Sequence, residues 1–415
     1  MTQQLLQSLD RIAESYVRLV LSVGHHDADY VDAFYGPPHL KAEADAEKPS
    51  LSTIEERAAG LLQELHRVTT TGTEEIVLMR HGYLIRQLES LVTRVRMLGG
   101  TRLRFDEESQ ALYDAVAPVF PESHFREILD RLNALLPGSG PVPKRFEDYK
   151  RSFIIPKDKL DPVFQAAIAE ARHRTKWFIE LPPDENFVLE YVTGKSWSGY
   201  NWYRGNSNSL IQINTDLPMY IDRAVDLASH EGYPGHHVYN ALLERHLVRE
   251  RNWVEFSVYA LFSPQSLIAE GTANYGIEMA FPGQERVLFE QTVLFPRAGM
   301  DGSTANEYYR IHALFLQLNY AGNEAARRYL NGEIDREGAV RWLVEYALFS
   351  PERAQQRTKF FDQYRSYVIN YNLGQDLVGR FIESRGGLPS TPAKRWEEFR
   401  KLLASPRLPS GLLPA

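Results

Sequence analysis

Three histidines and a carboxylate fall within eight residues, His230-Glu231-Gly232-Tyr233-Pro234-Gly235-His236-His237. Such a cluster arises by chance in a chain of this length about once in a thousand or fewer. Imidazoles beside a carboxylate are the donor set of a zinc site. The zincin pattern His-Glu-x-x-His places ligands at i and i+4 on one helix face, with the glutamate as base. Here the i+4 position is Pro234, which ligates nothing and cannot continue a regular helix. The helix carrying His230 is therefore expected to bulge or break before His236. In an ideal helix His237 falls within about 20° of His230 and His236 about 120° away. A bulge that inserts residues into one turn favours His236 instead. Spacing alone leaves both open.

A catalytic zinc takes three protein ligands and keeps one position for water. The best third ligand is Glu270, in Leu267-Ile-Ala-Glu-Gly-Thr-Ala-Asn-Tyr-Gly-Ile-Glu278, where small and apolar neighbours predict a tightly packed helix. An unpartnered carboxylate there would be costly. Glu244, Glu255 and Glu278 are expected to be solvated, and His246, among charged neighbours, to lie at the surface. Glu231 is the expected general base, taking a proton from the activated water.

These motifs resemble the bacterial family catalogued as domain of unknown function 885, whose members carry His-Glu-x-x-Pro-Gly-His and a later Glu-Gly-x-Ala-x-Tyr. The family looks related to the mostly helical gluzincin peptidases. The likeness covers roughly 190–385, and Ser207–Thr215 and Ser366–Gln375 resemble further family segments. It implies His230, His236 and Glu270 as metal ligands, Glu231 as base and Zn2+ as cofactor. It also favours His236 over His237, and with the chemistry of a phenol it points to Tyr371 as oxyanion donor, with Tyr367 second. Residues 1–180 align with nothing in the family, and the downstream Gly-Leu-His stretch of many members has only His312 as a loose counterpart. The implied activity is zinc-dependent hydrolysis of peptide bonds. The alternatives are an amidase of a small metabolite, or a metal- or peptide-binding relative without turnover.

The elements that must position these residues are mostly helices. Amphipathic periodicity predicts helices near 2–23, 53–67, 74–98, 105–117, 122–136 and 158–176, and repeatedly from 220 onward. Strand character is confined to Asn186–Val192 and Ser209–Asn214, flanking an aromatic-rich stretch, 195–208. The expected fold is thus mainly α, a large helical body with a small β-sheet beside a gluzincin-like metal site in a central cleft. Ser209–Asn214 is expected as an edge strand aligning an extended substrate. Ile213, Asn214 and Tyr367 are then substrate-binding, and Trp197, Tyr200, Trp202 and Tyr203 wall the groove. Arg353 and Arg357 are possible anchors for a substrate carboxylate. The breaker Leu136-Pro-Gly-Ser-Gly-Pro-Val-Pro143 marks a boundary between an N-terminal helical region, 1–137, and a catalytic region, 138–415, or a long surface loop within one fold. The proline-rich tail from Ser405 should not be helical.

Composition narrows the function classes further. The 415 residues include no cysteine, which excludes disulfide scaffolds, thiol nucleophiles and iron–sulfur ligation. Forty-seven basic against 54 acidic residues, a net charge of −7, offer nothing to nucleic acid or an anionic membrane. No stretch reaches the length of a membrane span, and Asp10, Arg11 and Glu14 interrupt any apolar leader. A cytoplasmic protein acting on a peptide or small amide is the expectation.

Overall fold

The computed structural model describes residues 2–195 and 197–413. The protein is mainly helical, with two small sheets. The periodic segments fold as helices: Thr2–Val23, Leu51–Arg67, Glu75–Leu98, Phe105–Tyr113, Glu122–Leu135 and Leu160–Phe178. Ser50 caps the second of these, its hydroxyl accepting from the Thr53 amide at 3.2 Å. The fourth is shorter than its apolar pattern because Asp114 turns into the left-handed region, φ 55°. The tail forms only a single 3₁₀ turn, Pro409–Leu412.

The described residues form five strands: β1 (Val31–Phe34), β2 (Asn186–Val192), β3 (Gly199–Tyr203), β4 (Asn208–Asn214) and β5 (Val258–Ala260). β1 and β5 form an antiparallel ribbon. β2, β4 and β3 form a three-stranded sheet in that spatial order, with β2 parallel and β3 antiparallel to β4. β3 lies within the aromatic-rich stretch 195–208, where the sequence predicts no strand, and β1 and β5 are too short to show a period of two.

The order β2-β4-β3 corrects one expectation. β4 is the central strand, so both of its edges are already paired and no substrate backbone can add to it. Ile213 is buried, and the Asn214 amide donates to the carbonyls of Lys195 and Trp197 at 3.0 and 2.9 Å. Both residues are taken up within the sheet, and neither lines the cavity described below.

The Leu136–Pro143 breaker joins the helices Glu122–Leu135 and Val142–Arg151. One cluster of buried apolar side chains runs from Leu5 to Leu412 across that point. The N-terminal region is keyed into the rest by a buried ion pair. The Arg80 guanidinium, fully buried, donates to both oxygens of Glu255 at 2.6 and 3.1 Å and to Asp10 at 2.6 Å. Glu255 is thus buried, contrary to the solvated position expected for it. So is Glu244, which accepts from the Tyr203 hydroxyl, the Asn206 and Ser207 amides and Arg249. Both glutamates escape the general rule for charged residues because an arginine accompanies each.

At the centre, the helix Pro264–Ala280 is buried on nearly every side and crosses the helix Ile369–Ser384 at two glycines. A Cβ on Gly271 would stand 2.4 Å from the carbonyl carbon of Gly374, and one on Gly374 would stand 2.7 Å from the carbonyl oxygen of Leu267. The two backbones touch there, which no residue with a side chain allows.

Arg80→Ala leaves Glu255 buried and unpaired. It should lower the free energy of urea unfolding by about 3–5 kcal/mol. The double replacement Arg80→Met, Glu255→Leu should recover much of that loss, and equal losses in both variants would show that the pair is not what holds this joint.

Candidate metal centre

His230 ends a helix that begins at Asp222 and widens into a π-turn over Ala228–Gly232. Tyr233 is extended, and a new helix starts at His236. The Tyr233 amide donates back to the Ala228 carbonyl and the Gly235 amide to Ser229, so the inserted residues are tied to the turn they interrupt. This packing requires glycine at 235, where a Cβ would lie 1.9 Å from the His230 carbonyl oxygen. The bulge brings His236, and not His237, round to face His230.

The His230 and His236 Nε2 atoms lie 3.1 Å apart, at 3.2 and 3.6 Å from Glu270 Oε2. For bonds of about 2.05 Å, a tetrahedral zinc separates its ligand atoms by about 3.3 Å. The three atoms already stand at that spacing. Oε2 of Glu270 is buried and makes no well-directed hydrogen bond. Glu270 Oε1 is engaged separately, accepting from the Tyr367 hydroxyl at 2.7 Å.

The tautomer of His230 is set from behind. Its Nδ1–H donates to Asn274 Oδ1 at 2.9 Å, and the Asn274 amide donates to the Tyr371 carbonyl at 2.9 Å. Nε2 therefore carries a lone pair, directed at the shared centre. Two imidazole nitrogens and a carboxylate oxygen converging in this way repel one another unless a cation or proton lies between them. The electrostatics agree. Burial lowers the affinity of His236 for a proton, but Glu270, Glu231 and Asp32 outweigh it and hold the imidazole at about 9. Glu270 is driven up by burial and, more strongly, down by His236 and His230, so its carboxyl falls well below the ordinary range. The surroundings favour positive charge.

His237 faces away. Its Nε2 donates to Glu185 at 3.0 Å and its Nδ1 accepts from the Ser209 hydroxyl at 2.9 Å. With both nitrogens committed, His237 ties the turn to β4 and is no ligand. Glu185 also accepts from the Tyr233 hydroxyl at 2.6 Å and from Arg172 at 3.0 Å. His246 pairs with Glu250 at 3.0 Å, apart from this cluster, and Glu278 is exposed.

All of these ligand atoms open onto one cavity of about 870 Å³. Glu231 lines it beside β3, where Gly199 lets the strand approach: a Cβ there would stand 2.8 Å from Glu231 Oε1. The Asn201 amide donates to the Glu231 carbonyl at 2.7 Å. Burial raises the Glu231 carboxyl, while His230 and His236 pull it back. The Tyr371 ring is stacked at 6.4 Å from that of His230, and its hydroxyl makes no hydrogen bond among the described residues. Tyr367 also lines the cavity, and its hydroxyl donates to Glu270, orienting the carboxylate. Of the four aromatic residues expected to wall a groove, Trp197 and Tyr200 do so. The Trp202 indole bonds Gln212 at an exposed edge, and Tyr203 is buried on Glu244. His312 lines the cavity with neither ring nitrogen bonded, and burial lowers it to about 4.

Two wall residues lay outside the expectations. Asn274 stands one turn after Glu270 on the same helix face, a legible signal. Asp32 comes from β1, accepts from the Tyr200 hydroxyl and is raised by burial to about 6. No local pattern marks it.

No family model matches the chain, and no curated protein matches it by sequence. Its fold is shared with a solved structure described as "the putative lipoprotein from Colwellia psychrerythraea", at 14% identity and a TM-score of 0.53, covering 90% of this chain and 71% of that one. A second structure, of a like-described protein of unknown function from Shewanella oneidensis, gives 14% identity, a TM-score of 0.45, and 88% and 75% coverage. The first of these descriptions, of a lipoprotein, stands against the cytoplasmic expectation, which is withdrawn. No helix among the described residues is long and apolar enough to cross a membrane.

Asn274→Ala frees His230 to rotate. Zinc affinity, read by competition with a chromogenic chelator, should fall about 10- to 100-fold, whereas His246→Gln should leave it unchanged. Unaltered affinity in Asn274→Ala would contradict the assigned role.

Proposed function

We propose that the protein is a zinc-dependent hydrolase of peptide bonds. The observation that carries this reading is the convergence of His230, His236 and Glu270 on one point of a large cavity, beside a carboxylate that is not needed to complete the site. The resemblance of His230–His237 and Ala269–Tyr275 to the domain of unknown function 885 family supports the same reading. His230, His236 and Glu270 would hold the ion. A zinc ion so held supplies Lewis-acid activation of water and of the substrate carbonyl.

The remaining steps belong to the protein's own side chains. Glu231 removes a proton from the attacking water and delivers it to the leaving amine nitrogen, so its carboxylate is regenerated when the C–N bond breaks. Tyr371 donates its unengaged hydroxyl to the developing oxyanion, a role a neutral phenol fills without adding charge. Tyr367 and Asn274 keep the donor atoms oriented, and burial of Glu231 behind Gly199 limits its exposure to bulk water.

Glu231→Gln should bind one zinc per chain as the parent does, while hydrolysis of a peptide library, read by mass spectrometry, falls at least about 100-fold. Retained turnover would exclude Glu231 as the base. Tyr371→Phe should lower kcat about 100-fold with little change in KM; a pure KM effect would reassign the hydroxyl to substrate binding.

A further inference from the structure

The cavity wall formed by the helix Pro351–Tyr364 carries two cations that no carboxylate among the described residues neutralises. Five basic residues line the cavity: Lys150, Arg223, Arg286, Arg353 and Arg357. Three are matched. Lys150 lies 3.7 Å from Asp222, Arg223 lies 3.2 Å from Asp226, and Arg286 bridges Asp226 and Glu290 at 2.8 and 2.9 Å. Among the described residues, Arg353 and Arg357 have no carboxylate within ion-pair distance, and neither guanidinium makes a hydrogen bond.

Their position makes this costly. They stand four residues apart on the helix Pro351–Tyr364, hence on one face and close enough to repel. Arg353 is in the first turn, where the exposed amide groups already present positive charge. Its own amide donates to the Ser350 cap at 3.3 Å. Burial, with repulsion from Arg223 and Arg357, lowers Arg353 to about 10, and burial lowers Arg357. Their guanidinium groups rest only on aromatic faces, Arg353 on Phe349 at 4.4 Å and Arg357 on Phe360 at 4.3 Å. Cation–π contacts of this kind return about 0.5–2 kcal/mol and leave the five N–H donors of each fork free of protein partners, facing the cavity.

The pair also lies within reach of the reacting atoms. The Arg357 guanidinium is 5.9 Å from the Tyr371 ring centre, and Tyr371 stacks on His230. One to three extended residues, at about 3.3–3.6 Å each, bridge such a gap. We infer that Arg353 and Arg357 form the subsite that receives the free C-terminal carboxylate of a peptide, so that cleavage falls within a few residues of the C-terminus. This rests on the hydrolase reading and adds the substrate class: short peptides, or longer ones trimmed from that end, with a free carboxylate. The planar fork of a guanidinium pairs with a carboxylate in two parallel hydrogen bonds, a geometry lysine cannot copy.

The test is equilibrium binding, which needs no turnover. Acetyl-alanyl-alanine and its C-terminal amide are titrated calorimetrically into zinc-loaded Glu231→Gln protein. The free acid should bind about 10- to 100-fold more tightly than the amide. Adding Arg353→Met or Arg357→Met should abolish the preference in variants that keep the parent's cooperative thermal transition. Equal affinity for acid and amide, or a preference that survives both replacements, overturns the subsite. The two readings fail separately. An acid preference in a parent protein that cleaves no peptide sinks the hydrolase and keeps the carboxylate pocket, whereas equal cleavage of free and amidated peptides does the reverse.

Discussion

Everything at the centre of this molecule depends on one unfavourable meeting. Two imidazole lone pairs and a carboxylate oxygen are brought within 3.1–3.6 Å of each other in a buried wall. Left to themselves these groups repel and lose their hydration, and a cation or a proton between them reverses the sign. The fold nevertheless commits backbone from three places to produce the meeting: the π-turn before Gly232, the helix start at His236 and the buried helix carrying Glu270.

The means by which the chain enforces it are steric and largely made of glycine. Gly235 admits the His230 carbonyl, Gly199 admits the Glu231 side chain, and the Gly271–Gly374 crossing brings Tyr367 and Tyr371 beside Glu270 and Asn274. Hydrogen bonds then remove the remaining freedom. Asn274 turns His230, Tyr367 turns Glu270, and His237 anchors the bulge to the sheet through Ser209 and Glu185. A residue that looked like a rival ligand is in fact part of the support.

Much of this was legible in the sequence, and the failures have physical causes. Helical periodicity located the N-terminal helices because each buries one apolar face. Pro234 announced the break, since proline cannot continue a helix, but choosing between His236 and His237 required knowing how the bulge closes. β4 looked like an edge strand because alternation reports burial of a face and says nothing about which edges are paired. Glu244 and Glu255 read as solvated because their arginine partners at 249 and 80 are assigned only by tertiary packing. Asp32 reaches the cavity through the pairing of β1 with β5, in which Val31 pairs with Ala260, 229 residues away, a contact no local pattern records. The cytoplasmic expectation failed for another reason: side-chain chemistry in the body of a fold carries no address.

The most direct test of the metal site is X-ray absorption at the zinc edge on protein loaded with one equivalent of zinc. Two imidazole nitrogens and a carboxylate oxygen at about 2.0–2.1 Å are expected, with the imidazole scattering reduced by half in His236→Ala and unchanged in His237→Ala. Protein that retains no zinc, or a coordination sphere made of oxygen alone, would contradict the account.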